Sequence, residues 1–241
     1  MIVLTSEPGK DTIIKQLMSL GIRDDVIDTS FVDFPIDARR VFLKRLALMQ
    51  QDIDPNAAVA EAGVFAGDFA KYINEYYPKR LCHLFDTFSG FDKRDIDKEE
   101  GRSIAKEGDY SITSEQLVFY KMPYKEKVVI HKGYFPDTAL NIKDKFCFVN
   151  LDLDLYDPTY KGLCFFSEKM VHGGVILIHD YFAENFKGPY EAVNRFCEEN
   201  KGNYGTYPIG DGISVMLTGF DAGIAIDTKI LIPNHLSFFH T

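Results

Sequence analysis

No stretch of this 241-residue chain approaches the ~20 consecutive apolar residues that a transmembrane helix needs, so a membrane-spanning protein is not expected. There is no basic excess either. Lysine and arginine number 27 against 36 acidic residues, for a net charge of −9. Phosphate contacts from basic side chains supply most of the affinity of nucleic-acid binders, so this balance argues against nucleic acid and for a small molecule. Paired cysteines are missing as well. Cys82, Cys147, Cys164 and Cys197 are widely spaced in apolar runs, with no CxxC and no zinc-like spacing. Reduced, buried thiols in a cytoplasmic protein are the simplest expectation. The start, Met1-Ile2-Val3-Leu4-Thr5-Ser6-Glu7-Pro8, lacks the basic segment and apolar run of a signal peptide. With repeats and low-complexity linkers also missing, one domain over 1–241 is expected. What the chain does have is 46% hydrophobic and 26% charged residues, enough for a sizeable core under a soluble surface.

Residues 9–21 carry apolar positions near a 3.6 period, and Gly21 suits the helix C-terminus. A second helix is expected from about Asp37, with Asp37 as its cap and Arg39 and Arg40 in its first turns. From residue 57 strand and helix alternate. Strands are expected at Ala57–Ala60, Leu81–Phe85, Val128–His131, Phe146–Leu151 and Val175–Ile178, with later ones at Gly205–Pro208 and Ser214–Leu217. Helices are expected at Phe69–Tyr76, Ser114–Tyr120, Tyr160–Met170 and Pro189–Glu199, the third closed by His172-Gly173-Gly174. Residues 86–114 read as a polar loop, and the Lys93-Arg94 and Lys98-Glu99-Glu100 charges as its solvated face. Continuous apolar strands separated by helices imply βαβ units in a mostly parallel, doubly wound sheet. That places an α/β core at 55–220 behind an N-terminal helical cap at 1–50.

Open α/β sheets bind ligands beyond the carboxyl ends of their strands. The first strand runs into Glu61-Ala62-Gly63-Val64-Phe65-Ala66-Gly67. Its glycines allow a tight turn and a close approach to ligand. A carboxylate at Glu61 suits an ammonium group better than a pyrophosphate, and the dinucleotide signature GxGxxG is incomplete. S-adenosylmethionine is therefore favoured over a dinucleotide. The second strand ends in Phe85-Asp86-Thr87-Phe88, with Asp86 at the offset from which an acidic residue accepts ribose hydroxyls. The plainer readings are a helix–strand packing glycine and an Asp that starts a loop. The fourth strand leads into Asn150-Leu151-Asp152-Leu153-Asp154, where alternation places Asp152 and Asp154 on one side of an extended chain. The fifth ends in Ile178-His179-Asp180-Tyr181. Asp152 with Asp180 would make an oxygen-rich site for a hard dication such as magnesium. The plainer reading is that Asp154 and Asp180 cap helices or hold loops. Gly133-Tyr134-Phe135-Pro136 follows the third strand as crevice wall or turn, and His83 and His131 read as satisfied core or edge histidines.

These motifs carry a resemblance. From about Arg40 to Leu217 the chain resembles the macrocin O-methyltransferase (TylF-type) family, through Glu61–Gly67, Phe85-Asp-Thr-Phe-Ser-Gly-Phe91, Gly133-Tyr-Phe-Pro-Asp-Thr138, Leu151-Asp-Leu-Asp-Leu-Tyr156 and Gly173-Gly-Val-Ile-Leu-Ile-His-Asp-Tyr181. The resemblance implies a class I methyltransferase fold: a Rossmann-like seven-stranded sheet, mostly parallel, with its last strand antiparallel. It implies S-adenosylmethionine as cofactor, held by Glu61, Gly63, Val64, Gly67, Asp86, Thr87, Gly133 and Asp152. It implies methyl transfer to a small-molecule hydroxyl, typically on a natural-product sugar, with Mg2+ on the strand-end carboxylates Asp152 and Asp180. Homo-oligomers are common in the family. The family's usual Asp before the second of these is His179 here, which removes one negative charge and opens the site to a softer metal or to a histidine base.

The expected reaction is in-line attack of a substrate oxygen on the sulfonium methyl group, with Asp152, or His179 in the absence of metal, as base. The cap and the 86–114 loop would select the acceptor. Two rivals remain at this stage: a nicotinamide-dependent oxidoreductase on a Rossmann-like sheet, and a non-catalytic S-adenosylmethionine-binding module kept in play by His179.

Overall fold

The computed structural model describes residues 1–4, 10–201 and 203–219. Its centre is a seven-stranded sheet of β1 (Ala58–Ala62), β2 (Cys82–Asp86), β3 (Val128–Lys132), β4 (Phe146–Leu151), β5 (Met170–Ile178), β6 (Tyr204–Pro208) and β7 (Val215–Gly219). The spatial order is β3-β2-β1-β4-β5-β7-β6. The pairs from β3 through β5 are parallel, and β7 runs antiparallel to both β5 and β6. Strand order reverses between β1 and β4, which opens a crevice at their carboxyl ends.

Helices are α1 (Lys10–Ser19), α2 (Ser30–Met49), α3 (Ala70–Tyr76), α4 (Lys93–Ile96), α5 (Glu115–Lys121), α6 (Tyr156–Ser167) and α7 (Gly188–Glu199). Leu43 and Leu46 of α2, Ile73 of α3 and Val118 of α5 pack with Val59, Leu84, Phe148 and Leu177 on one face of the sheet. Leu163 and Phe166 of α6 and Val193 and Phe196 of α7 pack with Phe85, Val149, Ile176 and Val215 on the other. The sheet is thus doubly wound, and β1 and β4 are buried on both faces.

Several expectations are corrected. Helix α2 starts at Ser30, not near Asp37, and runs through Pro35. Asp33 anchors its first turn, accepting from the Thr29 hydroxyl at 2.6 Å and from Lys10 of α1. Asp37 lies inside the helix and pairs with Arg40 at 3.0 Å, so it caps nothing. His172-Gly173-Gly174 does not close a helix; it lies within β5, where the register against β4 shifts. Gly173 has φ +73°, and a Cβ on Gly174 would lie 2.8 Å from the Val171 carbonyl oxygen, so these glycines form a bulge. Helix α6 begins at Tyr156 because the Glu99 carboxylate accepts from the Tyr156 amide at 2.7 Å. Glu99 is therefore a buried cap and not part of a solvated face. Cys164 is exposed, unlike buried Cys82 and Cys147.

The cap is fixed to the sheet by polar side chains. Arg80 donates to the carbonyls of Gln50, Ile53, Asp54 and Ala57. Gln50 donates to the carbonyls of Cys147 and Gly173 and accepts from the Tyr77 hydroxyl. The His83 and His131 rings meet at 2.9 Å across β2 and β3; His83 is buried as expected of a core residue, but its Nε2 has no hydrogen-bond partner, so it is not fully satisfied. Among the described residues no helix is long and apolar enough to cross a membrane.

Candidate active site

The turn after β1 is shaped by close contact. Gly63 has φ +83°, and a Cβ there would lie 1.8 Å from the Asp152 carbonyl oxygen. Only glycine lets the β1 and β4 chain ends approach so closely. Gly67, at φ +78°, lies against Val118. Asp86, at the end of β2, holds this turn: its Oδ2 accepts from the Val64 and Phe65 amides, both at 2.8 Å, and its Oδ1 from the Phe88 amide at 2.6 Å. Burial raises the Asp86 carboxyl above its ordinary range, and those amides pull it back down. The Val64 side chain is in the core, so only its backbone faces the turn. The Thr87 hydroxyl closes a local turn onto the Gly90 carbonyl at 2.8 Å. Gly133 donates to the Asp86 carbonyl at 2.9 Å, beside Asp86 at the end of β3.

Glu61 is not presented openly to the crevice. It is 1% exposed, and its Oε1 accepts from Asn150 Nδ2 at 2.7 Å between β1 and β4. Its Oε2 and the Asn150 Oδ1 have no partner. Burial, then the charge of Asp152, raises the Glu61 carboxyl well above its ordinary range.

Leu151 and Ile178 are register partners, so Asp152 and His179 leave adjacent strands side by side. The Asp152 amide bonds to the Ala62 carbonyl and the His179 amide to the Leu151 carbonyl, both at 2.9 Å. His179 Nδ1 lies 3.0 Å from Asp152 Oδ1 and 3.1 Å from Asp180 Oδ2. Burial disfavours a charged His179, but the charge of Asp152 and the contacts with Asp152 and Asp180 together outweigh it and lift the ring to about 10. Burial also disfavours charge on Asp180, yet the adjacent His179 holds that carboxyl at about 2. Asp154 reaches the cluster by a left-handed turn, at φ +58°, rather than along an extended strand. Its carboxyl bonds to that of Asp180, and burial followed by this contact raises it well above the ordinary range. Neither residue caps a helix; the N-terminal neighbour of α6 is Leu155.

The donor set fits a dication. Asp152, His179 and Asp180 each offer one ligand atom, all within 4.8 Å of one another. His179 Nδ1 is buried and makes no hydrogen bond of acceptable angle, despite two oxygens within reach. Two carboxylates and an imidazole nitrogen facing one point form a donor set that a dication would take by displacing the ring proton.

Two contributors carry no local sequence signal. Arg39 of α2 reaches Asp152 Oδ2 at 3.5 Å, 113 positions away, with its guanidinium 4.4 Å from the Phe69 ring centre. Tyr110, in the 86–114 loop, stands edge-to-face with Phe65 and Phe91 at 5.4 and 5.3 Å. Burial, then the charges of Asp154, Asp180 and Asp152, raises its hydroxyl to about 12. Two surface hollows, one lined by Asp52, Lys145 and His172 and one by Asn203 and Tyr204, lie away from the strand ends that carry this cluster.

Comparison with known proteins places these features in a family. The macrocin-O-methyltransferase (TylF) family matches residues 16–209. The structure of the O-methyltransferase NovP superposes with a TM-score of 0.65 at 18% identity, over 76% of this chain and 80% of that one. The calicheamicin methyltransferase CalS11 gives 0.62 at 18% identity, over 90% and 95%. Its apo form, described as a TDP-rhamnose 3'-O-methyltransferase, gives 0.51 at 20% identity, over 90% and 97%. No curated protein matches the sequence significantly. The structural likenesses bear out the expected class I methyltransferase fold.

Proposed function

Because the chain belongs to the macrocin-O-methyltransferase family, and is therefore an S-adenosylmethionine-dependent O-methyltransferase, we propose that it methylates a sugar hydroxyl of a small molecule at the Asp152–His179–Asp180 cluster. The observation that carries this reading is the convergence of those three side chains at the strand ends beside Gly63. The sugar assignment draws on CalS11, whose described substrate is a TDP-linked rhamnose.

In this reading the turn from Gly63 to Gly67 carries the methionine part of the cofactor. Asp86 keeps the turn in shape and directs its remaining acceptor capacity to the ribose. The unpartnered Glu61 Oε2 is the acceptor left for the amino group. Thr87 and Gly133 border the nucleoside end. The acceptor hydroxyl approaches the sulfonium methyl group in line; its oxygen bonds to the methyl carbon as the carbon–sulfur bond breaks, and Asp152 takes the hydroxyl proton. Alignment of this kind is worth roughly 7–11 kcal/mol of the barrier. Asp152, His179 and Asp180 would hold a divalent ion, which when bound lowers the pKa of a coordinated hydroxyl. Arg39 lies 3.5 Å from Asp152 Oδ2 and orients the carboxylate, so that Oδ1 faces His179. Tyr110, Phe65 and the cap wall off the acceptor and exclude water.

The test is Asp152→Asn, assayed against a panel of nucleotide-linked and free sugars. Turnover should fall at least ~1,000-fold, the scale of a lost general base, while S-adenosylhomocysteine affinity stays within about threefold. An active variant overturns the role of Asp152. A native chain that binds S-adenosylhomocysteine yet methylates no hydroxyl in the panel overturns the sugar assignment.

A further inference from the structure

We propose that the Asp152–His179–Asp180 triangle selects a first-row transition-metal dication, of the manganese or cobalt kind, over magnesium. This rests on the reading that the acceptor end holds a dication, and it names which one.

Three observations carry it. The first is spacing. Ligands at 2.0–2.2 Å from an octahedral metal lie about 2.9–3.1 Å apart in neighbouring positions, whereas tetrahedral ligands at such lengths lie about 3.3 Å or more apart. The Nδ1-to-oxygen separations here, 3.0 and 3.1 Å, match octahedral edges; they argue against tetrahedral zinc and leave the choice over magnesium to the donor chemistry. The second is donor chemistry. One corner is an imidazole nitrogen with no hydrogen bond to satisfy it. Magnesium binds oxygen and gives up its water reluctantly, whereas the first-row transition dications take imidazole nitrogen beside carboxylate oxygen, cobalt more strongly than manganese. The third is what the neighbours prevent. Arg39 sits at Asp152 Oδ2, so Asp152 offers one oxygen and not two. The metal therefore meets two single carboxylate oxygens and a nitrogen, a poor site for calcium, which favours many oxygens and bidentate carboxylates.

The experiment is metal binding to the full chain in the presence of S-adenosylhomocysteine. Manganese is followed by loss of the free-ion electron paramagnetic resonance signal, with magnesium as competitor. Manganese should bind about 100-fold more tightly than magnesium, an order-of-magnitude expectation for exchanging an oxygen for an imidazole. Bound manganese should show hyperfine coupling to a ring nitrogen, a readout that needs no variant. His179→Asp should lose that coupling and bring the two affinities to within about tenfold, with S-adenosylhomocysteine binding kept as the check on folding. Equal affinity for the two metals, or manganese bound without nitrogen coupling, overturns the selectivity while leaving a dication at the acceptor end. Failure of every dication to bind overturns that reading as well.

Discussion

At the cofactor end of the crevice a single carboxylate, Asp86, accepts three backbone amides, and the loop it holds has no other charge to balance. At the acceptor end Asp152 and Asp180 crowd around one imidazole, with Arg39 at Asp152, and between the two ends Glu61 lies buried with an oxygen that nothing satisfies. The first arrangement is nearly complete within the chain: most of its acceptor capacity is spent on shape, with the remainder left for the ribose. The second is incomplete, and its surplus of acceptors is what a cation or an ammonium group would answer. One sheet edge thus supports a scaffold and a reactive site a few residues apart, separated by how fully each carboxylate is partnered.

Substitutions can break this contrast. Gly63→Ala should have the largest effect, because Gly63 is where the two ends touch. A side chain there meets the Asp152 carbonyl at 1.8 Å in a left-handed backbone. We expect a loss of roughly 3 kcal/mol or more in urea denaturation, together with loss of cofactor binding. Native-like stability would separate the two ends. Asp86→Asn comes next. Both carboxylate oxygens accept from amides, so an amide nitrogen in either position faces a donor. A cost of about 2 kcal/mol is expected, with about tenfold weaker S-adenosylhomocysteine binding by calorimetry. Unchanged affinity would confine Asp86 to the loop.

Glu61→Gln sharpens the contrast by reversing its sign. A buried acid whose folded pKa is raised stabilises the fold below the ordinary carboxyl range, and that stability is lost as pH rises toward the raised value. The native protein should therefore lose stability as pH climbs from ~4. The Gln variant should show a shallower fall and be about 1 kcal/mol more stable at pH 7, while binding the cofactor less well. A less stable variant, or an unchanged pH slope, would contradict the buried placement of Glu61.

The sequence was most legible where a single force decides. Strand β4 has the expected bounds, Phe146–Leu151, because both its faces are buried and its residues are apolar throughout. The Gly173-Gly174 pair reads locally as a helix stop, yet it serves a bulge set by contact with β4. Helix α2 starts before the expected Asp37 because Asp33 accepts from the Thr29 hydroxyl within the first turn and from Lys10, a tertiary contact 23 positions away. In the site, Asp152, His179 and Asp180 could be found because strand ends point to them. Arg39 could not, since nothing near it in sequence marks a partner 113 residues on.

That last contact sets the smallest piece that can be moved. The sheet from β1 to β7 contains every strand-end carboxylate, but the guanidinium that steadies Asp152 comes from α2, and the Arg80 clamp fixes that helix to the sheet. Grafting this chain's acceptor end onto a related enzyme would therefore mean transplanting α2 and β4 as one inherited unit. Recombination between them would leave a chain that folds and binds its cofactor but has lost alignment at the point of reaction.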